Sequence, residues 1–474
     1  AAEHTARAEI LMTQDAGYLE AEGMEKTWRF KQDQLKKEVD VRTKQKMFSL
    51  DLDKFGPYAL DFTLDGRYML LGGRKGHISL MEWQKFKLET EFHVQETIRD
   101  VAFLHNQAMY AVAQKKYTYI YDNDGLELHC LRNHSDVNKL AFLPYHFLMV
   151  TVGMTGWLKY QDVSTGTIIA QHRTKLGQCH VMAQNPANAV MCLGHKNGTV
   201  TLWSPSITQP LVKMLCHRGP LRALAVSRDG KHMATSALDG RVKIWDLRNY
   251  KELHSYFSIR PAASLDISQK GMLALGCGSH VQIWKDAFQT KQKDPYMVHE
   301  MPGHTISRVK FCPYEDILGV SSSKGFQSVV VPGAGEPNFD SFEHNLFATR
   351  KQARERLVNR LLEKLPPEMI SLDSDLVGSV DEAPLAVKQA ERLEEAKRRK
   401  AEELANKKEK NKARGRNTAG KRWRRKRGNV MDERTAQRRE KIAKIHNARK
   451  LAREDSKRKE KGMAKDALAR FKML

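Results

Sequence analysis

Short segments that end in an aromatic or apolar residue recur about every forty residues between positions 60 and 332. Segments such as HISLMEW and DGRVKIWD alternate apolar and polar positions, which is typical of a half-buried β-strand. Their ends are 38, 39, 43, 42, 39 and 46 residues apart, measured at Trp83, Tyr121, Tyr160, Trp203, Trp245, Trp284 and Val330. A period in this range, with four short strands in each unit, predicts an all-β fold: a β-propeller of seven blades.

The repeat that ends at 246 is the most regular one and tests this prediction residue by residue. LRALAV (221–226) and KHMATSA (231–237) are predicted strands, each followed by a turn, and VKIWD (242–246) is a third. This is the pattern of a WD repeat, in which four polar side chains form a hydrogen-bonded chain; the matching residues are His217, Thr235, Asp239 and Trp245. Because buried polar groups are tolerated when all are satisfied, we expect this tetrad to be structural.

The sequence outside the repeats divides into three parts. The propeller is predicted to span 55–332, and residues 1–54 are predicted to form a mostly helical or extended arm. Residues 333–383 are predicted to hold an irregular connector, a docking helix over 346–365 and an extended segment. Residues 384–474 are predicted to be a basic helical tail, whose helices have too few large apolar residues to fold without a partner.

The docking helix carries its large apolar residues on one side and is predicted to end at Pro366. That side is formed by Leu357, Leu361, Leu362 and Leu365. We expect this side to pack on protein.

The positive charge is concentrated in the tail. The net charge is +24, and residues 388–474, with 33 Lys/Arg against 13 Asp/Glu, contribute +20 of it. This asymmetry is typical of a chain that meets a polyanion. The run KRWRRKR surrounds one indole ring with six cations, which suits phosphate contacts and base stacking and also suits a nuclear import signal. The candidate RNA-binding residues are Lys421, Arg422, Trp423, Arg424, Arg425, Lys426 and Arg427.

Several classes of function lack support in the sequence. The six cysteines show no Cys-x-x-Cys spacing, which indicates a reducing compartment and argues against a zinc site. No apolar run approaches the roughly 18 residues that span a bilayer. No nucleophile elbow, zinc-protease pair or kinase motif set is present. We therefore expect no catalysis, no metal or other cofactor, no small-molecule substrate and no membrane partner.

The flanks carry a resemblance to a known family. YLEAEGMEKTWRFKQDQLKKEVDV (18–41), the connector and helix over 331–373, and KRWRRKRGNVMDER (421–434) resemble the U3 small nucleolar RNA-associated WD-repeat protein seven family, which has a BING-type C-terminal domain. The resemblance implies a component of the small-subunit processome, a nucleolar particle built on pre-ribosomal RNA with the U3 snoRNP. It implies a non-catalytic scaffold needed for 18S rRNA maturation. Its implied partners are pre-ribosomal RNA or U3 snoRNA and other processome proteins, including WD-repeat subunits.

Two other functions stay open. WDLR at 245–248 matches the W-D-x-R pattern of WD-repeat substrate receptors for cullin ubiquitin ligases, with Arg248 as the contact residue. A chromatin-associated propeller whose basic arms meet DNA is also compatible with the charge distribution.

Overall fold

The computed structural model describes residues 2, 4–5, 12–338, 343, 345–372, 385–405, 419–420, 423 and 433–470. The chain divides into two compact units, 1–379 and 380–474. All strands of the described chain lie in the first unit, and the second contains two long helices. None of the described helices is both long enough and apolar enough to cross a bilayer.

The strands form seven antiparallel sheets of four, which confirms the predicted seven-bladed β-propeller. The first three blades comprise β2 (Tyr58–Phe62), β3 (Tyr68–Gly73), β4 (His77–Glu82) and β5 (Lys87–His93); β6 (Asp100–Phe103), β7 (Met109–Ala113), β8 (Thr118–Asp122) and β9 (Glu127–Leu131); β10 (Val137–Leu143), β11 (Leu148–Gly153), β12 (Trp157–Asp162) and β13 (Ile168–Arg173). The next two comprise β14 (Val181–Gln184), β15 (Met191–Gly194), β16 (Thr199–Trp203) and β17 (Val212–Leu215); β18 (Leu221–Val226), β19 (His232–Ala237), β20 (Arg241–Asp246) and β21 (Lys251–Phe257). The sixth comprises β22 (Ser264–Ile267), β23 (Leu273–Cys277), β24 (His280–Trp284) and β25 (Met297–Glu300).

The seventh blade closes the ring by joining both ends of the propeller. It contains β26 (Ile306–Phe311), β27 (Ile317–Ser322) and β28 (Gly325–Val330), and its outer strand is β1 (Ser49–Asp51) from the N-terminal arm. Ser49 lies opposite Gln327, and Asp51 lies opposite Gly325. The propeller thus includes a strand that precedes residue 55, where the sequence had suggested its start. Three residues are too few to show an alternating pattern.

The recurring segments of the sequence form the third strand of each blade, counted from the channel outwards. Their large side chains are buried between neighbouring blades, as at Trp83, Tyr160 and Trp203. The core is therefore a series of layers between adjacent sheets; one such layer combines Leu70 of the first blade with Val112 of the second. This packing explains why blades without a Trp-Asp ending still fit the ring.

The described part of the N-terminal arm is partly helical. Residues 2 and 4–5 are helical, and a 3₁₀ turn at Thr27–Arg29 and two short helices, α1 (Gln32–Glu38) and α2 (Val41–Gln45), follow. Residues 1, 3 and 6–11 lie outside the described residues. The only buried residue in these helices is Leu35, so the arm depends on the propeller for its order. Gln32 holds it there, because its side-chain amide both donates to and accepts from the backbone of Val330, at 3.0 and 2.9 Å.

The docking helix, α3 (Arg350–Leu362), is shorter than predicted at both ends. It begins at a capping box in which Thr349 and Gln352 satisfy each other's backbone N–H groups. Leu361 and Leu362 are 42% and 79% exposed, so only part of the predicted apolar side packs on the propeller. The second unit contains α4 (Leu385–Ala405) and α5 (Glu433–Arg470).

Candidate functional site

The four tetrad residues of the fifth blade form one hydrogen-bonded chain. His217, in the link before β18, lies 2.9 Å through Nδ1 from Asp239 Oδ2 and 2.9 Å through Nε2 from Thr235 Oγ1. Trp245 Nε1 donates to the same threonine oxygen at 3.0 Å. These hydrogen bonds therefore connect the link before β18, the turn after β19 and the two middle strands of the blade.

Other blades contain partial versions that the sequence analysis did not identify. In the fourth blade, His195 lies 2.7 Å from Thr201 Oγ1, to which Trp203 also donates at 2.8 Å. In the third blade, His134 lies 2.7 Å from Thr151 Oγ1. Burial lowers the pKa of His134 and His195 to about 4, so both rings are neutral at pH 7. The WD-repeat pattern does not predict Thr201, because this residue lies on the third strand of its blade, whereas a WD repeat has its threonine on the second.

The innermost strands surround a central cavity of about 680 Å³. Three carboxylates on these strands each accept a backbone N–H group from the innermost strand of the next blade: Asp61 from Phe103 at 2.7 Å, Asp100 from Leu140 at 3.1 Å and Asp266 from Phe311 at 2.6 Å. Each contact joins two blades, because the two residues belong to different sheets. These carboxylates thus hold the ring together around its axis.

Opposite charges from other blades surround two of these carboxylates. Asp100 is fully buried and pairs with Arg308 of the seventh blade and with Lys139 of the third, at 3.7 Å from the latter. Burial opposes its ionisation, but the two cations together with backbone hydrogen bonds from Leu140 and Val101 hold the pKa of Asp100 below its usual range. Asp61 pairs with Lys310 in the same manner. Asp61 and Asp100 are therefore engaged with three cations from other blades.

The connector begins with close contacts to the turn between β26 and β27. The backbone N–H groups of Gly333 and Gly335 donate to the carboxylate of Asp316, at 3.1 and 2.8 Å. Glu336 then pairs with Lys270 at 3.0 Å. In an antiparallel blade, the first–second and third–fourth turns share one face of the ring. We call it the connector face, because the connector lies along it.

The chain after the connector, through α3 to residue 372, continues across this face to the third and fourth blades. Lys364 pairs with Asp162, and the adjacent backbone N–H of Leu365 donates to the carbonyl of Tyr145 at 3.0 Å. Burial opposes ionisation of Asp162, but hydrogen bonds from Lys364 and Ser164 hold its pKa below the usual range. Near the end of the described segment, the carbonyl of the buried Ile370 accepts from the Ser204 hydroxyl at 2.6 Å.

Two residues from the segment after the propeller also line the central cavity at this face. Glu343 and Arg360 are part of the cavity lining. Arg360 donates to the carbonyl of Glu343 at 3.0 Å, and the Glu343 carboxylate pairs with Arg228 of the fifth blade. Both residues therefore contribute to the lining of the cavity on the connector face.

The cysteines are buried or half-buried free thiols. Burial raises the pKa of Cys179 and Cys192 to about 12, so neither thiol forms a reactive thiolate near neutral pH. Within the described ranges, no group of three or more His, Cys, Asp or Glu side chains is arranged to hold a metal ion.

Comparisons with known proteins identify the family. The BING4CT (NUC141) domain matches residues 295–373, and the WD domain, G-beta repeat, matches residues 208–246. U3 small nucleolar RNA-associated protein 7 of Saccharomyces cerevisiae is 47% identical over 393 residues, which cover 79% of this chain and 71% of that protein. The chain belongs to this family.

Mammalian members of the U3 small nucleolar RNA-associated protein 7 family show similar identity. WD repeat-containing protein 46 of Mus musculus is 46% identical over 82% of this chain and 63% of that protein. Its Homo sapiens counterpart is 45% identical over 82% of this chain and 64% of that protein. The chain thus spans less than two thirds of the length of these two relatives.

The family domain corresponds to a defined part of the fold. The BING4CT match over 295–373 contains β25 to β28, the connector and α3. It therefore combines the closing blade of the propeller with the segment that crosses the connector face. The resemblance identified from the sequence of 331–373 is confirmed.

The guanidinium of Arg248, the candidate ligase contact, is held by the residue two positions earlier. Its Nε and Nη2 atoms donate to the two carboxylate oxygens of Asp246, each at 3.1 Å. A bidentate pair of this kind fixes the guanidinium beside its own strand.

The basic run at 421–427 lies mostly outside the described residues. Of its seven residues only Trp423 is described; it is helical and 43% exposed. RNA contact by the six cations stays a prediction. In α5, which carries fourteen Lys/Arg and six Asp/Glu, all side chains over 437–454 are exposed. Large apolar residues are among them, such as Ile442, Ile445 and Leu451, so this helix buries no apolar face along that stretch.

Proposed function

We propose that this protein is a non-catalytic scaffold of the small-subunit processome, acting in the nucleolus and required for 18S rRNA maturation. The observation that carries the proposal is 47% identity, over most of the chain, to a yeast protein named for its association with U3 small nucleolar RNA. The connector face supports the proposal. The family domain covers the segment that contacts several blades on this face, as expected for a structural part of a scaffold.

The hydrogen bonds and ion pairs of the buried histidines and channel carboxylates support a non-catalytic role. Two of the buried histidines, His134 and His195, are neutral and hydrogen-bonded to threonine hydroxyl groups. The channel carboxylates are hydrogen-bonded to backbone or paired with cations, as Asp100 is. A catalytic centre needs a nucleophile or base that can reach a substrate, whereas these groups join blades.

In this proposal the propeller and the tail have different tasks. The rigid ring offers surfaces to other processome proteins, and residues 384–474 extend to pre-ribosomal RNA or U3 snoRNA. The exposed apolar residues of α5 fit a helix that becomes buried on a partner. If the tail makes six to ten phosphate contacts, RNA affinity falls by roughly 10³ to 10⁵ between 50 and 200 mM salt.

The test replaces the six cations of 421–427 by glutamine in the full chain, expressed in cells depleted of the endogenous protein. The control neutralises the four cations Lys397, Arg398, Arg399 and Lys400, which lie beside glutamates on α4. We expect the wild-type chain and the control to precipitate U3 snoRNA and to restore 18S rRNA. The 421–427 variant should lose most of the RNA and fold with an unchanged melting temperature.

Three outcomes would contradict the proposal. The wild-type chain could fail to precipitate U3 snoRNA while depletion leaves 18S rRNA unchanged. A cullin adaptor could copurify and be released by Arg248→Ala, which would favour the ligase receptor. DNA without ribosomal RNA could be recovered after crosslinking, which would favour the chromatin protein.

A further inference from the structure

The face of the ring opposite the connector face is strongly basic. We call it the basic face; it consists of the second–third turns of the blades and the links between blades, at 52–57, 74–76, 94–99, 114–117, 132–136, 154–156, 174–180, 195–198, 216–220, 238–240, 258–263, 278–279, 301–305 and 323–324. These loops carry twelve Lys/Arg and four Asp/Glu. The turns of the connector face carry nine Lys/Arg and seven Asp/Glu. These turns are 63–67, 83–86, 104–108, 123–126, 144–147, 163–167, 185–190, 204–211, 227–231, 247–250, 268–272, 285–296 and 312–316.

The cations of the basic face point into solvent. Eleven of the twelve are exposed: Lys54, Arg74, Lys75, Lys115, Lys116, Arg132, Lys175, Lys196, Arg218, Arg260 and Lys324. Among the residues that the structure describes, none of these eleven forms an ion pair with a carboxylate, and Arg99 pairs with Asp136 at 3.7 Å. Surface lysines and arginines without such pairs leave their positive potential available to a partner.

Two of the four acidic residues on this face are already engaged. Asp136 pairs with Arg99, and Asp239 is held by His217 in the tetrad. Only Asp53 and Glu96 remain as exposed carboxylates without an ion pair in the described chain. The positive potential is therefore little reduced by the face itself.

The cations follow one another from blade to blade, and the connector leaves them uncovered. Lys75, in the turn after β3, donates to the carbonyl of Lys54 at 2.9 Å, which brings the first turn against the link that closes the ring. Lys116 lies 5.1 Å from the centre of the Tyr117 ring. The contacts of the connector described above all lie on the opposite face.

We propose that the basic face binds the phosphate backbone of RNA, as a second contact site besides the tail. This inference rests on the proposed function, which supplies an RNA partner. Charge complementarity selects the occupant, since a succession of unpaired cations on solvent-exposed turns matches a continuous polyanion. The contact is sequence-independent because it uses charge and not base edges.

The test compares two fourfold variants of the full chain that are matched in charge and residue type. The face variant replaces Lys54, Lys75, Lys115 and Lys116 by glutamine, and the control replaces Lys231, Lys285, Lys291 and Lys293 on the connector face. Exposed substitutions of this kind should leave the stability nearly unchanged, and thermal unfolding checks this. Each variant is also made with the cations of 421–427 replaced by glutamine.

The measurement is the affinity for a fluorescent oligouridine of about 30 nucleotides as a function of salt concentration. Each lysine that neutralises a phosphate of a single strand contributes about 0.7 to the slope of log K against log salt. The slope of the face variant should be smaller in magnitude than that of its parent chain by about 1 to 3. This difference should appear both with the native cations of 421–427 and with those cations replaced by glutamine. The control should match its parent chain.

The outcomes separate this inference from the proposed function. A fall in slope of less than about 1, or an equal fall in the control, overturns the basic face as an RNA site. Unchanged RNA affinity of the face variant together with its loss from U3-containing particles also overturns it, because the face would then bind protein. Failure of the wild-type chain to bind RNA at all overturns the proposed function as well.

Discussion

Replacing Asp100 by alanine should destabilise the propeller more than any other single change in the channel that we consider. The Asp100 carboxylate lies between the second, third and seventh blades, where it contacts Leu140, Lys139 and Arg308. The substitution removes the acceptor of a buried N–H group and leaves two partly buried cations without their counter-charge. Both effects act on the folded state.

The expected cost follows from these contacts. Breaking a buried ion pair by removing one partner costs about 3 to 5 kcal/mol, because the remaining charge stays desolvated. Asp266 provides the matched control: it accepts the N–H of Phe311 at 2.6 Å, and no ion pair to it is formed in the described chain. Burial raises the pKa of Asp266 to about 6, so removing this carboxylate also relieves a burial cost. Asp266→Ala should cost only about 1 to 2 kcal/mol, the effect of one lost hydrogen bond.

The assay is urea unfolding followed by the fluorescence of buried tryptophans, such as Trp83 and Trp203. Asp100→Ala should lower the free energy of unfolding by at least about 3 kcal/mol, and adding Arg308→Met should restore part of the loss. Asp100→Asn should fall between wild type and Asp100→Ala, because the amide oxygen can still accept from Leu140. Equal costs for Asp100→Ala and Asp266→Ala would refute the role given to the cations.

Two further predictions concern the tetrad and the buried histidines. Thr235→Val removes the hydroxyl that accepts from Trp245 Nε1 and is hydrogen-bonded to His217 Nε2, which leaves two buried ring nitrogens without this partner. It should cost roughly 2 to 4 kcal/mol in the same urea assay, whereas Thr165→Val at an exposed turn should cost little. The folded-state pKa of His134 and His195 is lowered to about 4, so the unfolded chain takes up protons first as the pH falls below about 6.5. Stability should be full above that pH and be lost towards pH 4, by on the order of 2 kcal/mol per ring at pH 5. His195→Gln should flatten this dependence, and a stability that is independent of pH would contradict the assignment.

The architecture could be predicted from the sequence because the third strand of each blade is largely buried and, in six of the seven blades, has a large aromatic side chain at its end or within two residues of it. Trp83, Tyr160 and Trp203 made the period visible. The closing strand Ser49–Asp51 could not be found in this way, since it forms by pairing with a strand nearly 280 residues later. Strand pairing over such a distance leaves no local pattern in three residues.

The candidate sites were predicted unevenly for a similar reason. The tetrad of the fifth blade follows a known spacing, whereas the channel carboxylates act through backbone groups of the next blade, which no side-chain motif records. Asp100 is one residue of a short apolar strand and looks unremarkable in the sequence. Its role depends on Arg308, which is brought to it only when the ring closes.

The distribution of charge shows why a net count along the chain conceals the basic face. Residues 1–387 carry only +4, which suggests a nearly neutral ring. In a propeller, however, successive loops lie on alternate faces. Each blade therefore has two loops on each face, and loops on the same face are about half a blade period apart along the chain. Cations at 54, 75, 175, 196 and 218 are separated by about 20 residues or multiples of it, which places all of them on the basic face. A net charge summed along the chain mixes the two faces. When each loop is assigned to a face, the basic face has twelve Lys/Arg and four Asp/Glu, and the turns of the connector face have nine Lys/Arg and seven Asp/Glu. The propeller and the tail therefore need not divide protein and RNA strictly between them, because the ring itself presents unpaired positive charge on the face that its connector leaves uncovered.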